Sequence, residues 1–227
     1  MQLLAETDTY VLVSLDGPRE NYYAFRGVDK FEQAVAGIEQ LIAAGITVQP
    51  VQVVHKDSLP QLDWVADFCS LHGIATCTLS PIQPIGRAEA IEHLLLSSDE
   101  LAQFAYKLSV LNGRGYTKFV TQSVYGPDEL ERFETARDKI IGFNDDYFYV
   151  QSDGVIVCDL DLPDSRAFVL GHAGDLTSLD PDVWQRYQDL LAAAFERGRA
   201  RLKAGQAVNW HELVQRQAGA SPIQDGS

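Results

Sequence analysis

The stretch Thr9-Tyr10-Val11-Leu12-Val13-Ser14-Leu15-Asp16-Gly17-Pro18 is β-branched and apolar up to Asp16 and then breaks at a Gly-Pro pair. It reads as a strand followed by a turn. Downstream, Phe31, Ala34, Val35, Ile38, Leu41 and Ile42 recur at helical spacing over 29–44, with Gly45 as the C-cap. A second apolar strand spans 46–54. Leu62, Val65, Ala66 and Cys69 mark the inner face of a second helix closed by Gly73, and a third strand covers 74–79. The order β-α-β-α-β with short links predicts a parallel sheet with helices packed on it. The first two strands are near-continuous apolar runs, as expected where both faces are covered. In such sheets the chemistry lies beyond the C-terminal ends of the strands. That places Ser14 and Asp16, then His55 and Lys56, then Ser80 and the loop 81–87 at the candidate site.

The second half of the chain has a different texture. Ser97-Ser98-Asp99-Glu100 offers an N-cap and first-turn acids for a helix to about Leu111, with Leu101, Phe104, Ala105 and Leu108 inward. Residues 128–141 read as another helix. The runs 147–150 and 155–158 flank Ser152-Asp153-Gly154, a hairpin signal. Asp180-Pro181 starts a long helix to about Lys203, with Val183, Trp184, Tyr187, Leu190, Leu191 and Ala194 inward. A last short helix is expected over 209–217, and a frayed tail over 218–227.

Composition narrows the function classes. Of 227 residues, 46% are hydrophobic and 22% charged, which suits a folded globular chain rather than a disordered one. No apolar run approaches the ~18–20 residues of a membrane-spanning helix, and the first eight residues lack a signal-peptide pattern. With 18 Lys+Arg against 32 Asp+Glu, the net charge is −14. That surface repels phosphate backbones, so neither nucleic acid nor an anionic membrane is an expected partner. A basic peptide or basic protein is compatible with it. Three scattered cysteines, Cys69, Cys77 and Cys158, make no disulfide framework, and a reducing cytoplasm is the expected setting.

Three segments together carry a resemblance. The first is Val13-Ser14-Leu15-Asp16-Gly17-Pro18 followed by Phe25-Arg26-Gly27. The second is Pro84-Ile85-Gly86-Arg87-Ala88. The third is Val150 to Cys158, with Gln151-Ser152-Asp153-Gly154 at its centre, then Leu170-Gly171-His172 and Leu176-Thr177-Ser178-Leu179. In this order they resemble the radical S-adenosylmethionine (SAM) enzymes, in the peptide-modifying and sulfatase-maturing branch with a SPASM-type extension. The fold this implies is α/β: half of a partial TIM-type barrel, made of three βα units over 8–112, then a small α+β SPASM-like extension over 113–217 and a flexible tail.

The resemblance implies that Ser14 and Arg26, twelve positions apart, contact the carboxylate of SAM. A guanidinium forks onto a carboxylate, and a hydroxyl at a strand end adds a bond. Asp16 and Gly86 join them as cofactor-binding positions, Gly86 by letting backbone approach adenine. The alternative for Arg26 is a pair with Asp29 or Asp16, and for Asp16 a bond to its own turn. Tyr22, Tyr23 and Phe25 are read as a cluster in the loop after the first strand. Cys158, Asp159, Asp161 and His172 are weighed as a zinc set against plain strand-end charges.

The family's C-x-x-x-C-x-x-C cluster loop is absent. An iron–sulfur cluster is expected for the family, but three scattered cysteines do not supply its usual four thiolates. The chain begins at what resembles the fourth barrel strand. The expectation is therefore the C-terminal portion of a radical SAM/SPASM-like enzyme acting on a peptide or protein, catalytically incomplete alone. Its partner would be a complementary N-terminal half, or a second copy joined at the open strand edge. The alternative is a non-catalytic peptide-binding or scaffold protein of the same fold.

Overall fold

The computed structural model describes residues 10–83, 91, 93–121, 124–137, 148–159, 162 and 164–220. The chain divides into two compact units, 1–82 with 91–122, and 83–90 with 123–227.

The first unit carries β1 (Tyr10–Ser14), α1 (Arg19–Arg26), α2 (Phe31–Ala43), β2 (Thr47–Val54), α3 (Leu62–Leu71), β3 (Thr76–Pro81), α4 (Ser98–Gly113) and β4 (Lys118–Val120). Among the described residues the strands form one sheet in the order β1-β2-β3-β4, and every pairing is parallel. The expected neighbours β1 and β2 pair with Tyr10 opposite Thr47 and Ser14 opposite Val51. Alternation along the strands separates two faces. Val48, Pro50, Val54, Cys77, Leu79 and Phe119 are buried, together with Ile38, Leu62, Val65, Cys69, Phe104 and Leu111 from the helices. The opposite face holds Tyr10, Leu12, Ser14, Gln49 and Thr78. There Gln49 Nε2 donates to Thr78 Oγ1 at 2.6 Å. Tyr10 and Leu12 are 59% and 57% exposed, on a strand that is an edge of the described sheet.

Three features depart from the sequence reading. Residues 19–26 are a helix, not a loop. Pro18 occupies its N-cap, Glu20 lies in its first turn, and Gly27 ends it in the left-handed region at φ 69°. Pro81 belongs to β3 rather than to the following loop. A fourth strand, β4, is added beyond residue 112. Its place is set by side chains from elsewhere. Asn112 donates to Phe119 O at 3.0 Å and accepts from Phe119 N at 2.8 Å, while Thr117 Oγ1 donates to Ile74 O at 2.8 Å.

The helix predicted from Ser97 is present and starts with a full capping box. Ser97 Oγ accepts from Glu100 N, and Glu100 Oε2 accepts in turn from Ser97 N at 2.8 Å.

Gly17 makes the turn out of β1 with φ 83°. A Cβ there would find ordinary contacts, at 3.5 Å to Asn21 Cβ and 3.6 Å to Gln52 Nε2. Backbone strain is therefore the dominant cost. Gly17→Ala is expected to lose about 1–2 kcal/mol, the cost of a left-handed L-residue. A urea midpoint equal to the parent's would refute this.

The second unit carries β5 (Val124–Tyr125), α5 (Leu130–Thr135), β6 (Tyr149–Val150), β7 (Val155–Val157), β8 (Val169–His172), α6 (Pro181–Lys203), β9 (Val208–Asn209) and α7 (Trp210–Ala220). The hairpin is found as expected: β6, β7 and β8 are antiparallel, and β5 pairs with β9. Gly154 turns the hairpin at φ 83°, and a Cβ there would lie 2.6 Å from the His172 ring, so only glycine fits. Asp180 caps α6, its Oδ1 accepting from Asp182 N at 2.9 Å and Val183 N at 3.3 Å. Phe133, Ile156, Tyr187, Leu191 and Leu213 are fully buried in one apolar cluster. The expected helix over 128–141 is described as Leu130–Thr135, and the last helix runs to Ala220.

Candidate functional site

The C-terminal ends of β1 and β2 hold the residues that the sequence singled out. Leu15 N continues the ladder by donating to Val51 O at 2.9 Å, so the chain stays extended through Asp16. Asp16 has 0% exposure. Its Oδ1 accepts from Val53 N at 2.8 Å and its Oδ2 from Arg26 Nε at 2.5 Å. Helix α1 brings that arginine in. Tyr22, Phe25 and Arg26 sit at i, i+3 and i+4 and share its inner face. Tyr22 is buried, Phe25 lies on His55, and Arg26 reaches Asp16.

Asp16 thus binds neither its own turn nor solvent. Fully buried and with both oxygens engaged, it does not present itself to a ligand. The part it shows is to hold Arg26. Arg26 pairs with Asp16, whereas Asp29 pairs with Arg19 at 2.8 Å. The Arg26 side chain is 35% exposed, and its two terminal nitrogens carry no other hydrogen bond among the described residues. Ser14 is exposed, and its hydroxyl has no partner among the described residues. A buried carboxylate that fixes one end of a guanidinium leaves the fork aligned for an incoming anion.

His55 is 5% exposed and stacked on Phe25, with ring centroids 4.9 Å apart and planes at 15°. Burial holds its ring below the usual histidine pKa, with Asp57 and Asp16 pulling the other way. Lys56 turns away to α4, its Nζ 3.4 Å from Glu100 Oε1. Gly86 and the rest of the loop 84–90 lie outside the described residues. The partnership of His55 with Phe25 depends on residues 19–26 being a helix, which delivers the Phe25 ring onto His55. The i, i+3, i+4 spacing of Tyr22, Phe25 and Arg26 was the available signal.

Among the described residues the cysteines do not gather with other ligands into a group that could hold a metal. All three are free and buried. The Cys69 and Cys77 thiols contact each other, and that contact together with burial pushes the Cys77 pKa up strongly. Burial, then Asp159, push Cys158 up to about 12. Metal ligation needs thiolates, and the Cys69 contact and burial disfavour them at Cys77, as burial does at Cys158. Among its described members, Cys158, Asp159 and His172, the zinc set shows no metal-binding group. Asp159 accepts from Tyr187 OH at 2.9 Å. Both His172 nitrogens are engaged, Nε2 with Asp153 O at 3.0 Å and Nδ1 with Gly174 N at 3.1 Å. Asp161 is outside the described residues.

No family model matches the chain. Among curated proteins it is similar to the AdoMet-dependent heme synthase of Oleidesulfovibrio alaskensis, 34% identical over 90 residues. That match spans 39% of this chain and 23% of the heme synthase, so the chain corresponds to about a quarter of that protein's length. Among solved structures it is similar to native anSMEcpe with bound AdoMet and the Kp18Cys peptide. There the TM-score is 0.54 at 13% identity, over 95% of this chain and 67% of that one. It is also similar to Streptococcus suis SuiB bound to its precursor peptide SuiA, with a TM-score of 0.53 at 17% identity, over 70% and 39% of the two chains. SuiB bound to S-adenosylmethionine gives 0.56 at 14% identity, over 81% and 44%. In sequence over 39% of its length the chain resembles an AdoMet-dependent heme synthase, and in its α/β fold with a parallel four-stranded sheet it resembles the AdoMet-bound structures of anSMEcpe and SuiB, a likeness that supports the radical SAM resemblance of its motifs.

Proposed function

We propose that the chain is the C-terminal portion of a radical SAM/SPASM-like enzyme acting on a peptide or protein substrate. In this reading the first unit is half of a partial TIM-type barrel, and residues 113–217 are a SPASM-like extension. The observation that carries it is the Asp16–Arg26 pair at the C-terminal end of β1, together with the exposed Ser14 hydroxyl two residues before Asp16. Arg26 and Ser14 would hold the carboxylate of SAM, Asp16 would orient Arg26, and Gly86 would admit the adenine edge. The chemistry such enzymes draw from SAM depends on an iron–sulfur cluster, and the buried thiols here do not fit one. The chain would therefore act with a complementary half that brings the cluster, paired at the exposed edge of β1, where Tyr10 and Leu12 stand in solvent. A second copy at that edge is the other arrangement. The buried cysteines, with the Cys77 and Cys158 thiols held above the usual range, favour a second reading for the chain by itself, a non-catalytic peptide-binding or scaffold protein.

SAM binding to the full chain, followed by protein NMR, tests the first reading. The expected result is a saturable shift of the Arg26 and Ser14 signals at millimolar SAM or below. Anaerobic reconstitution with iron and sulfide should leave the same protein colourless. No shift with SAM, or a brown product holding about four irons per chain, would overturn the respective parts.

A further inference from the structure

His55 closes β2 with its ring buried and with neither Nδ1 nor Nε2 bonded among the described residues. Nothing that fixes its position uses those nitrogens. Its backbone N donates to Ser58 Oγ at 2.9 Å, and the same hydroxyl donates back to His55 O at 3.1 Å. Ser58 N and Leu59 N also donate to His55 O, at 3.0 and 2.9 Å. The ring itself is held flat by Phe25. A buried imidazole placed this way loses its bonds to water and regains none. A phenyl ring would stack on Phe25 equally well and carry no such penalty. The ring also stands in the right neighbourhood. Phe25 directly precedes Arg26 on α1, and Asp16 is close enough to act electrostatically on the imidazole.

We propose that His55 is a ligand-contacting residue of this site, its imidazole hydrogen-bonding a polar group of the same carboxylate-bearing nucleoside that Arg26 and Ser14 hold. The assignment rests on the SAM reading above. A neutral imidazole offers one donor and one acceptor, which suits a ribose hydroxyl or the edge of a purine, since each can give and take a bond. Phe25 sets the plane of the ring, so the two nitrogens face a fixed direction.

The test uses the full chain, SAM as the probe, and the variants His55→Phe and Arg26→Ala. His55→Phe keeps the stack and deletes both nitrogens. Its Tm is expected to be no lower than the parent's, and its SAM affinity about tenfold weaker, the worth of one good hydrogen bond. In the parent protein, the ring-nitrogen NMR shifts of His55 should move when SAM is added. Parent-level SAM affinity in His55→Phe, with affinity lost in Arg26→Ala, would overturn this assignment and leave the SAM reading standing. Unmoved His55 nitrogen shifts in the SAM-bound parent would do the same, as would a lower Tm in His55→Phe, because the nitrogens would then serve the fold. A parent protein that ignores SAM overturns both.

Discussion

Phe133→Ala is expected to cost about 3–5 kcal/mol, the upper range for emptying a buried aromatic site. Phe133 has 0% exposure and is the hub of the second unit's core. Its ring stacks on Phe195 at 4.6 Å and meets Tyr125 edge-on at 4.9 Å and Trp210 at 6.3 Å. Against a total stability of roughly 5–15 kcal/mol, that loss would leave the unit marginal. Denaturant melts followed by tryptophan fluorescence, with Trp210 in this core, would report it. A second substitution makes the account specific. A Cβ on Gly198 of α6 would lie 2.8 Å from Phe133 Cζ and 3.0 Å from Leu213 Cδ1. Gly198→Ala alone should therefore be neutral to destabilising, the clash opposing the ~1 kcal/mol helix gain of alanine over glycine. In the Phe133→Ala background the clash with the ring is gone and Leu213 can yield. There the same change should stabilise by about 1 kcal/mol. If Gly198→Ala has the same effect in both backgrounds, Phe133 does not set the closeness of α6.

Arg26→Ala should have the largest effect at the candidate site, on stability and on ligand binding together. It leaves Asp16, wholly out of solvent, with Val53 N as its remaining partner. Stranding one member of a buried pair costs about 3–5 kcal/mol, and the partial exposure of Arg26 argues for the lower end. Asp16→Ala together with Arg26→Ala should cost less than the sum of the two single changes, with a coupling of about 1 kcal/mol or more. Arg26→Lys should recover most of the stability, because a cation can still reach Asp16. It should recover little of the SAM affinity, because an ammonium is not a planar fork. Strict additivity in the double variant would deny that the pair is a unit. Full SAM affinity in Arg26→Lys would deny that the fork is what recognises the carboxylate.

Much of the fold was legible because its periodicities are long. Thirteen residues of α2 and twenty-three of α6 carry apolar positions at 3.6-residue spacing, and the predicted caps at Ser97 and Asp180 both bond as expected. Parallel pairing of β1 with β2 followed from the helix between them, since a crossover of that length returns the chain in the same direction. The short elements resisted. The eight residues of α1 follow a Gly-Pro break, and Arg19, Glu20, Asn21 and Arg26 leave the Tyr22–Phe25 face only one turn long, too short to stand out as a periodic stripe. The three residues of β4 are held by partners distant in sequence: Asn112 bonds Phe119, Ala75 O accepts from Lys118 N, and Thr117 just ahead of the strand donates to Ile74 O.

At the candidate site the residue types were visible in the sequence and their division of labour was not. Ser14 and Asp16 stood out by their place at the end of a strand and Arg26 by the resemblance, with a pair between Arg26 and Asp16 as one of two alternatives. Only the folded chain separates them, because burial and partnership are properties of neighbours distant in sequence. Asp16 is sealed by β2 and spent on Val53 N and Arg26 Nε. Ser14, two residues earlier on the edge strand, remains in solvent. Arg26 keeps its outer nitrogens free because α1 delivers it side-on to the carboxylate. Sequence by itself determined the α/β class, the parallel order of the first strands, the hairpin at Gly154 and the acidic surface, since these follow from local periodicity, turn chemistry and charge count. Tertiary structure decided which polar groups face a ligand and which hold the frame, because that depends on what each packs against.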